Sequence, residues 1–101
     1  MPIYVTITKS TNPKKKYTAI FSHEVNGKMK KIKTTHFGSA GMSDYTIHKD
    51  KKRRELYLNR HRKREDWNSY MTAGSLSRYL LWNKPTFNGS LRDFKKRFNL
   101  K

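Results

Sequence analysis

The sequence has no cysteine, few acidic residues and no long apolar run. Without cysteine, a disulfide scaffold, a thiolate metal site and a cysteine nucleophile are excluded. No apolar stretch approaches the ~20 residues that cross a bilayer. The short alternating run at residues 1–6 lacks the apolar segment of a signal peptide. We therefore expect neither membrane insertion nor secretion.

Acidic side chains are scarce relative to basic ones. The sequence contains seven Asp and Glu residues and 24 Lys and Arg residues, which gives a net charge of +17. Such a chain repels itself, and a polyanion relieves the repulsion while releasing counterions. The cations occur throughout the sequence and not in one tail, so the folded body itself is basic. A nucleic acid is the partner that this charge favours.

The length and the aromatic content predict one folded domain. A chain of 101 residues is long enough for one core and too short for two. Aromatic residues make up 13% of the sequence, more than a disordered polycation would contain. We therefore expect a single basic domain over residues 1–101 with a small core that is rich in aromatic rings.

Residues 1–38 have the pattern of a three-stranded antiparallel meander. Apolar Ile3, Val5 and Ile7 alternate with polar residues, as in a half-buried strand. The segment 17–21 is rich in strand formers. Asn26-Gly27 predicts a type I′ hairpin turn, since both central residues of that turn need positive φ. Residues 28–37 would form the returning strand.

Residues 44–101 predict three short helices, so the expected fold class is α+β. The first helix would cover 49–66 with Asp50 as its cap. The second would run from about Ala73 to Trp82 with Thr72 as its cap. The inward side of the first helix would comprise Ile47, Tyr57, Leu58 and His61.

One apolar stripe predicts the last helix. Its members recur at spacings of three and four residues, which is the helical period. They are Phe87, Leu91, Phe94 and Phe98. We expect this stripe to lie in the core.

The cations of the first predicted helix are the strongest candidates for contact with nucleic acid. On a helix they form a stripe that could follow a duplex backbone, and too few acids are present to neutralise them. The hairpin would add further lysines, whereas Lys14–Lys16 lies beside a turn and is expected to be mobile. The candidate residues are Lys49, Lys51, Lys52, Arg53, Arg60, Arg62, Lys63 and Arg64, with Lys30, Lys31 and Lys33 on the hairpin.

Two aromatic residues are candidates for base stacking. Most aromatic residues of a domain this small belong to its core. Trp67 and Tyr70 lie in polar sequence between two predicted helices, which favours a stacking role like that seen on single-strand platforms.

The sequence has no pattern of a metal site or an enzyme. The four histidines are 12 or 13 residues apart, unlike zinc ligands. A nuclease normally holds Mg²⁺ with carboxylates, and nothing spaces the few carboxylates here for that purpose. We therefore expect no catalytic residue, no metal and no cofactor, while a small nuclease stays as a third alternative.

From Phe37 to Phe98 the sequence resembles small, uncharacterised basic domains of giant nucleocytoplasmic DNA viruses. The meander lies outside this resemblance. The resemblance depends on the segments FGSAGMSDYTIHKD at 37–50, YLNRHRKREDW at 57–67, MTAG at 71–74 and LLWNKPT at 80–86. The resemblance implies a viral protein of the virion or of the viral factory in an infected cell, in cytoplasm or nucleus.

Charge and resemblance together lead to two function hypotheses. The first is a non-enzymatic, largely sequence-independent nucleic-acid-binding protein that condenses or packages a viral genome, so that DNA is favoured over RNA. The second is a structural virion protein, a minor capsid or cementing component that docks on acidic surfaces of other virion proteins.

Overall fold

The chain begins with a three-stranded antiparallel sheet whose strands lie side by side in chain order. The computed structural model describes residues 2–101. The strands are β1 (Ile3–Lys9), β2 (Lys15–Val25) and β3 (Lys28–Ser39). Helical segments follow: α1 (Tyr45–His48), α2 (Lys51–His61), α3 (Ala73–Leu76), the π-helical turn Ser77–Leu81 that continues α3, and α4 (Phe87–Arg97). The predicted α+β fold, a meander followed by short helices, is confirmed.

The turn between β2 and β3 has the predicted geometry. Asn26 and Gly27 both adopt positive φ, 52° and 77°. Val25 pairs directly with Lys28 across this two-residue turn. Both central residues of a type I′ turn need this conformation, and asparagine and glycine adopt it at low cost.

One face of the sheet carries the core. Val5, Ala19, Phe21 and Phe37 are buried on that face, and side chains of the helical segments and of the C-terminal Leu100 cover them. The covering residues are Leu76, Tyr79, Leu80, Leu81, Phe94 and Leu100.

The stripe of α4 lies where the sequence predicted it. Phe94 is fully buried, and its ring lies 5.4 Å from that of Phe98 and 6.1 Å from that of Tyr79. Leu91 and Phe87 pack against the core from its margin. Since aromatic rings bury large areas, this cluster supplies much of a small core.

The outer edge of β1 is covered by the end of the chain. Leu100 forms a parallel bridge with Ile3, and the Lys101 N–H donates to the Ile3 carbonyl oxygen over 2.9 Å. Within residues 2–101, β3 has no strand partner on its far side. Its lysines lie on this open edge, and such charges also oppose edge-to-edge association.

The far part of the β2–β3 hairpin projects from the body as an arm, residues 22–34. The strand pairing shifts between Phe21 and Ser22, so Ile32 is an extra residue on β3. Every residue from 28 to 34 is exposed, including the apolar Met29 and Ile32. The molecule is accordingly elongated, 47 × 28 × 25 Å.

The predicted helix over 49–66 is wrong in its bounds. The segment begins just after α1 with Lys49, the left-handed C-cap of that helix with φ of 56°, and α2 then runs from Lys51 to His61. The break arises because the Asp50 carboxylate accepts from the Lys52 and Arg53 N–H groups and starts a new helix. Residues 62–66 lie in the turn and loop beyond α2.

The inward side predicted for this segment is only partly right. Ile47 is 61% exposed because it belongs to α1 and not to α2. Leu58 is buried, while Tyr57 and His61 are half-buried. The second predicted helix is confirmed in its position and in its Thr72 cap, whose hydroxyl accepts from the Ser75 N–H.

Candidate nucleic-acid interface

The predicted cations of the helical part are exposed on and around α2, and we call this set the α2 patch. Lys51, Lys52, Arg53 and Arg60 lie on the helix. Lys49 precedes it, while Arg62, Lys63 and Arg64 form the turn beyond it. All eight are exposed. The Lys49 ammonium donates to the Pro85 carbonyl oxygen over 2.6 Å, so this side chain is tied to the body.

The three predicted hairpin lysines lie on the arm and point to both sides of it. Lys30 and Lys33 pair with His23 and Phe21, on the side of the sheet that carries the helices. Lys31 pairs with Ser22 and points to the opposite side. Lys33, Lys31 and Lys30 pair with residues 21, 22 and 23, so at the rise of a strand they lie ~20–26 Å from Lys15 at the base of the hairpin.

A groove separates α2 from the body and brings further cations to the α2 patch. Its volume is about 560 Å³, and it is bounded by α2, by the base of the β2–β3 hairpin and by α3. Lys15 and Lys16 line it together with Arg53 and Arg60. The structure thus joins hairpin-base lysines, and not the arm lysines, to the cations of α2.

Sequence reasoning left Lys15 and Lys16 out of the candidate residues because it expected Lys14–Lys16, beside a turn, to be mobile. That expectation is wrong. The Lys16 ammonium forms an ion pair with Asp44, a carboxylate only 2% exposed. The Ala40 N–H donates to the Lys14 carbonyl oxygen over 3.0 Å, which fixes the preceding residue as well.

The Asp44 carboxylate fixes α1 to the sheet. One of its oxygens accepts from the Thr46 N–H over 2.9 Å and caps α1. Its other oxygen accepts from Lys16. A buried carboxylate needs such partners because desolvation of an unpaired charge is costly. Lys16 is therefore committed to the fold and is less free to hold a phosphate.

A ladder of rings fastens α2 to the body. Tyr57 stacks on Trp82 with ring centroids 4.2 Å apart and planes inclined by 2°. His61 stacks on the other side of Tyr57, also at 4.2 Å. The Arg54 Nε–H donates to the carbonyl oxygens of Trp82 and Asn83. The inner side of α2 is thereby held, and its cations project from a rigid support.

Burial raises the pKa of the Tyr57 phenol to about 12, with Glu65 adding to the rise and Arg78 opposing it. The phenol is consequently neutral at physiological pH. It adds no negative charge to the groove.

Arg78 is a half-buried cation beside this ladder. Its guanidinium lies 5.2 Å from the Trp67 ring centroid and 5.1 Å from that of Tyr79. Burial, and then the nearby charge of Arg54, lower its pKa below the ordinary value. Its Nε has no hydrogen-bond partner among the atoms of residues 2–101. Packing on rings replaces a carboxylate here as the partner of the cation.

The two candidate stacking residues lie against the core. Tyr70 contacts Phe98 with centroids 5.0 Å apart and Phe21 at 5.8 Å. Trp67 is partly buried, and Arg78 covers its ring. These contacts occupy ring faces that base stacking would need.

Side chains that could ligate a metal are dispersed in the part of the chain that the structure describes. Residues 2–101 contain no group of three or more His, Asp or Glu side chains arranged to hold an ion. The histidines serve local contacts: Nδ1 of His36 lies within hydrogen-bond distance of the Ser10 and Thr18 hydroxyls, and Nδ1 of His48 accepts from the Asp50 N–H.

None of the helices over residues 2–101 has the length and apolar character that crossing a membrane requires.

The sequence model of DUF5754, a family of unknown function, matches residues 5–61. The chain belongs to this family. The match covers most of the sheet together with α1 and α2, so it includes both the arm and the α2 side of the groove. Neither the curated proteins nor the solved structures contain a match to the chain. The resemblance to giant-virus domains stays a prediction.

Asp50→Ala should lower the free energy of unfolding by about 1 kcal/mol, because the first N–H groups of α2 lose their acceptor. Urea denaturation followed by circular dichroism measures this loss. Asp50→Asn is the matched control, since it makes the same change in charge and keeps an accepting oxygen. If both variants were equally destabilised, the charge of Asp50 and not its hydrogen bonds would account for the loss.

Proposed function

We propose that this protein is a non-enzymatic, largely sequence-independent DNA-binding protein. The proposal depends on one observation: most Lys and Arg side chains have no carboxylate beside them to neutralise their charge. Within residues 2–101, only Lys16 and Arg97 of the 24 Lys and Arg side chains contact a carboxylate. The remaining cations need external counterions, and the phosphates of a nucleic acid supply them at a matching density.

The α2 patch would be the main phosphate contact. A helix of 11 residues is ~16 Å long at 1.5 Å per residue, so it can run beside several consecutive phosphates. The ring ladder holds this helix in place, so less side-chain and backbone freedom is lost on binding. Contacts to phosphates carry no sequence information, which supports binding without sequence preference.

Most acidic side chains near the patch have structural partners, whereas Glu55, exposed on α2, forms no ion pair within residues 2–101. Asp44 pairs with Lys16, Asp50 caps α2, and Asp66 accepts from the Asn68 N–H. Asp93 lies farther along the chain. Partial burial alone would raise the pKa of Asp93, but a hydrogen bond from Asn83 and the charges of Arg97 and Lys84 lower it below its ordinary value. This distribution favours a binding protein over a nuclease.

The role in a virus follows from the resemblance alone. On that basis the DNA would be a viral genome that is condensed or packaged. The protein would then act in the virion or in the viral factory of an infected cell.

One observation favours the second candidate function, a structural virion protein. The arm exposes Met29 and Ile32 among its lysines, a mixture that suits docking on an acidic protein surface. Fractionation of virions separates the two functions. A DNA-binding protein would accompany the genome core, whereas a cementing component would stay with the shell.

The two basic surfaces can be compared with matched variants. Replacing Lys51, Lys52 and Lys63 by Gln removes three charges from the α2 patch, and replacing Lys30, Lys31 and Lys33 removes three from the arm. Each lost phosphate contact should reduce the salt slope of binding by ~1. We expect a reduction of about three for the α2 variant and a smaller one for the arm, because a projecting two-stranded ribbon is a less rigid support.

Duplex binding measured by fluorescence anisotropy gives both slopes. Equal reductions would mean that total charge alone determines affinity. A larger reduction for the arm variant would move the interface to the hairpin, and wild-type protein that fails to bind at low salt would refute the proposed function.

A further inference from the structure

The groove beneath α2 combines apolar walls with unpaired cations. Leu56 and Met42, 55% and 64% exposed, both line it. Single exposed apolar side chains are ordinary on a protein surface. Here two of them border the same cavity, together with Leu81 and the edge of the Tyr57–Trp82 stack.

The cations of the groove outnumber its carboxylates. Lys15, Lys16, Arg53 and Arg60 line it, against Asp44 and Glu65. Lys16 is engaged by Asp44, and His61 lies 3.9 Å from Glu65. The side chains of Lys15, Arg53 and Arg60 form no ion pair with the carboxylates of residues 2–101. An anion is therefore the complementary ligand.

The dimensions of the groove limit the occupant. About 560 Å³ is within the ~300–1,000 Å³ of small-molecule sites. A duplex is too wide to enter a cavity bounded on three sides by α2, the hairpin base and α3. A single nucleotide turned out of the stack has a flat apolar base and an anionic phosphate, and it fits both the size and the lining.

We propose that this groove binds one unpaired nucleotide of a DNA strand. The base lies against Leu56, Met42 and the edge of Trp82, while Arg53, Arg60 and Lys15 hold its phosphates. The inference rests on the proposed DNA binding and refines it: duplexes with an overhang or gap bind more tightly than blunt duplexes, because extraction of a paired base costs stacking and pairing energy.

The test compares a blunt duplex with the same duplex carrying a short single-stranded overhang, by fluorescence anisotropy at one salt concentration. Wild-type protein should bind the overhang roughly tenfold more tightly, as one base contact of this kind would produce. The double variant Met42→Ala/Leu56→Ala should lose this preference and keep its affinity for blunt DNA. The matched control Met29→Ala/Ile32→Ala removes two exposed apolar side chains from the arm and should keep the preference.

A second pair of variants tests the cations at constant charge change. Arg53→Gln/Arg60→Gln should weaken overhang binding more than blunt binding. Arg62→Gln/Arg64→Gln, outside the groove, should weaken both equally. Circular dichroism of every variant establishes that the fold is intact, which is expected because all eight positions are exposed.

The outcomes separate this inference from the proposed function. Equal affinity of wild-type protein for the two duplexes, or a preference that survives both groove variants, overturns the inference and leaves DNA binding intact. Failure to bind either duplex overturns the proposed function. Binding of the overhang alone supports the groove and refutes the α2 patch as a duplex contact.

Discussion

Affinity for blunt duplex DNA should fall roughly a thousandfold when the salt concentration rises from 50 to 200 mM, the response of a protein with about six phosphate contacts. The physical cause is counterion release, since each Lys or Arg on a phosphate displaces a condensed cation. Log K should fall with log salt at a slope near −5. The exposed, unpaired cations of the α2 patch are numerous enough to make that number of contacts.

Anisotropy titrations at four salt concentrations measure this slope. The α2 triple variant, Lys51, Lys52 and Lys63 to Gln, provides the internal control, and its slope should be shallower by about three. A flat salt response of wild-type protein would contradict phosphate-dominated binding. In that case the excess charge would serve solubility or an acidic protein partner.

Phe94→Ala should destabilise the fold by about 3–5 kcal/mol, the usual effect of truncating a fully buried phenylalanine. The Phe94 ring is 0% exposed and contacts the rings of Tyr70, Tyr79 and Phe98. Removing the ring leaves a cavity where α4 packs against the helical turn Ser77–Leu81. Domains of this size have total stabilities of about 5–15 kcal/mol, so the variant should lose a large part of its stability.

Urea unfolding followed by circular dichroism measures the loss. Phe94→Leu retains part of the volume and should lose less, which keeps the comparison informative if the alanine variant does not fold. Met29→Ala, at an exposed position of the arm, should unfold like wild type. An unchanged midpoint for Phe94→Ala would show that the α4 stripe is not part of the core.

Local sequence was sufficient for the elements whose signals are short-range. The Asn26-Gly27 turn, the Thr72 cap and the spacing of Leu91, Phe94 and Phe98 depend on a few neighbouring residues, and all three appear as predicted. Asp50 was also recognised as a cap. A cap residue is not itself helical, so the chain must leave the helical conformation just before α2. The prediction did not take this into account, and the predicted helix was therefore too long.

The groove could not be predicted because long-range contacts build it. Lys16 and Asp44 are 28 residues apart, and their pairing brings the hairpin base beside α2. Trp82 meets Tyr57 only because α3 lies across the sheet. Local patterning likewise predicted that Lys15 and Lys16, beside a turn, would be mobile, and it made Trp67 and Tyr70 candidates for base stacking.

The sequence by itself determined the charge and the order of strands and helices, since composition and periodicity encode these directly. Only the tertiary structure decided which cations act together. It placed the arm lysines ~20–26 Å from the hairpin base and brought Lys15 into the same groove as Arg53 and Arg60. The reason is physical. The net charge of a chain is the same whatever its fold, but a binding site needs several side chains close together, and that depends on packing between residues distant in sequence.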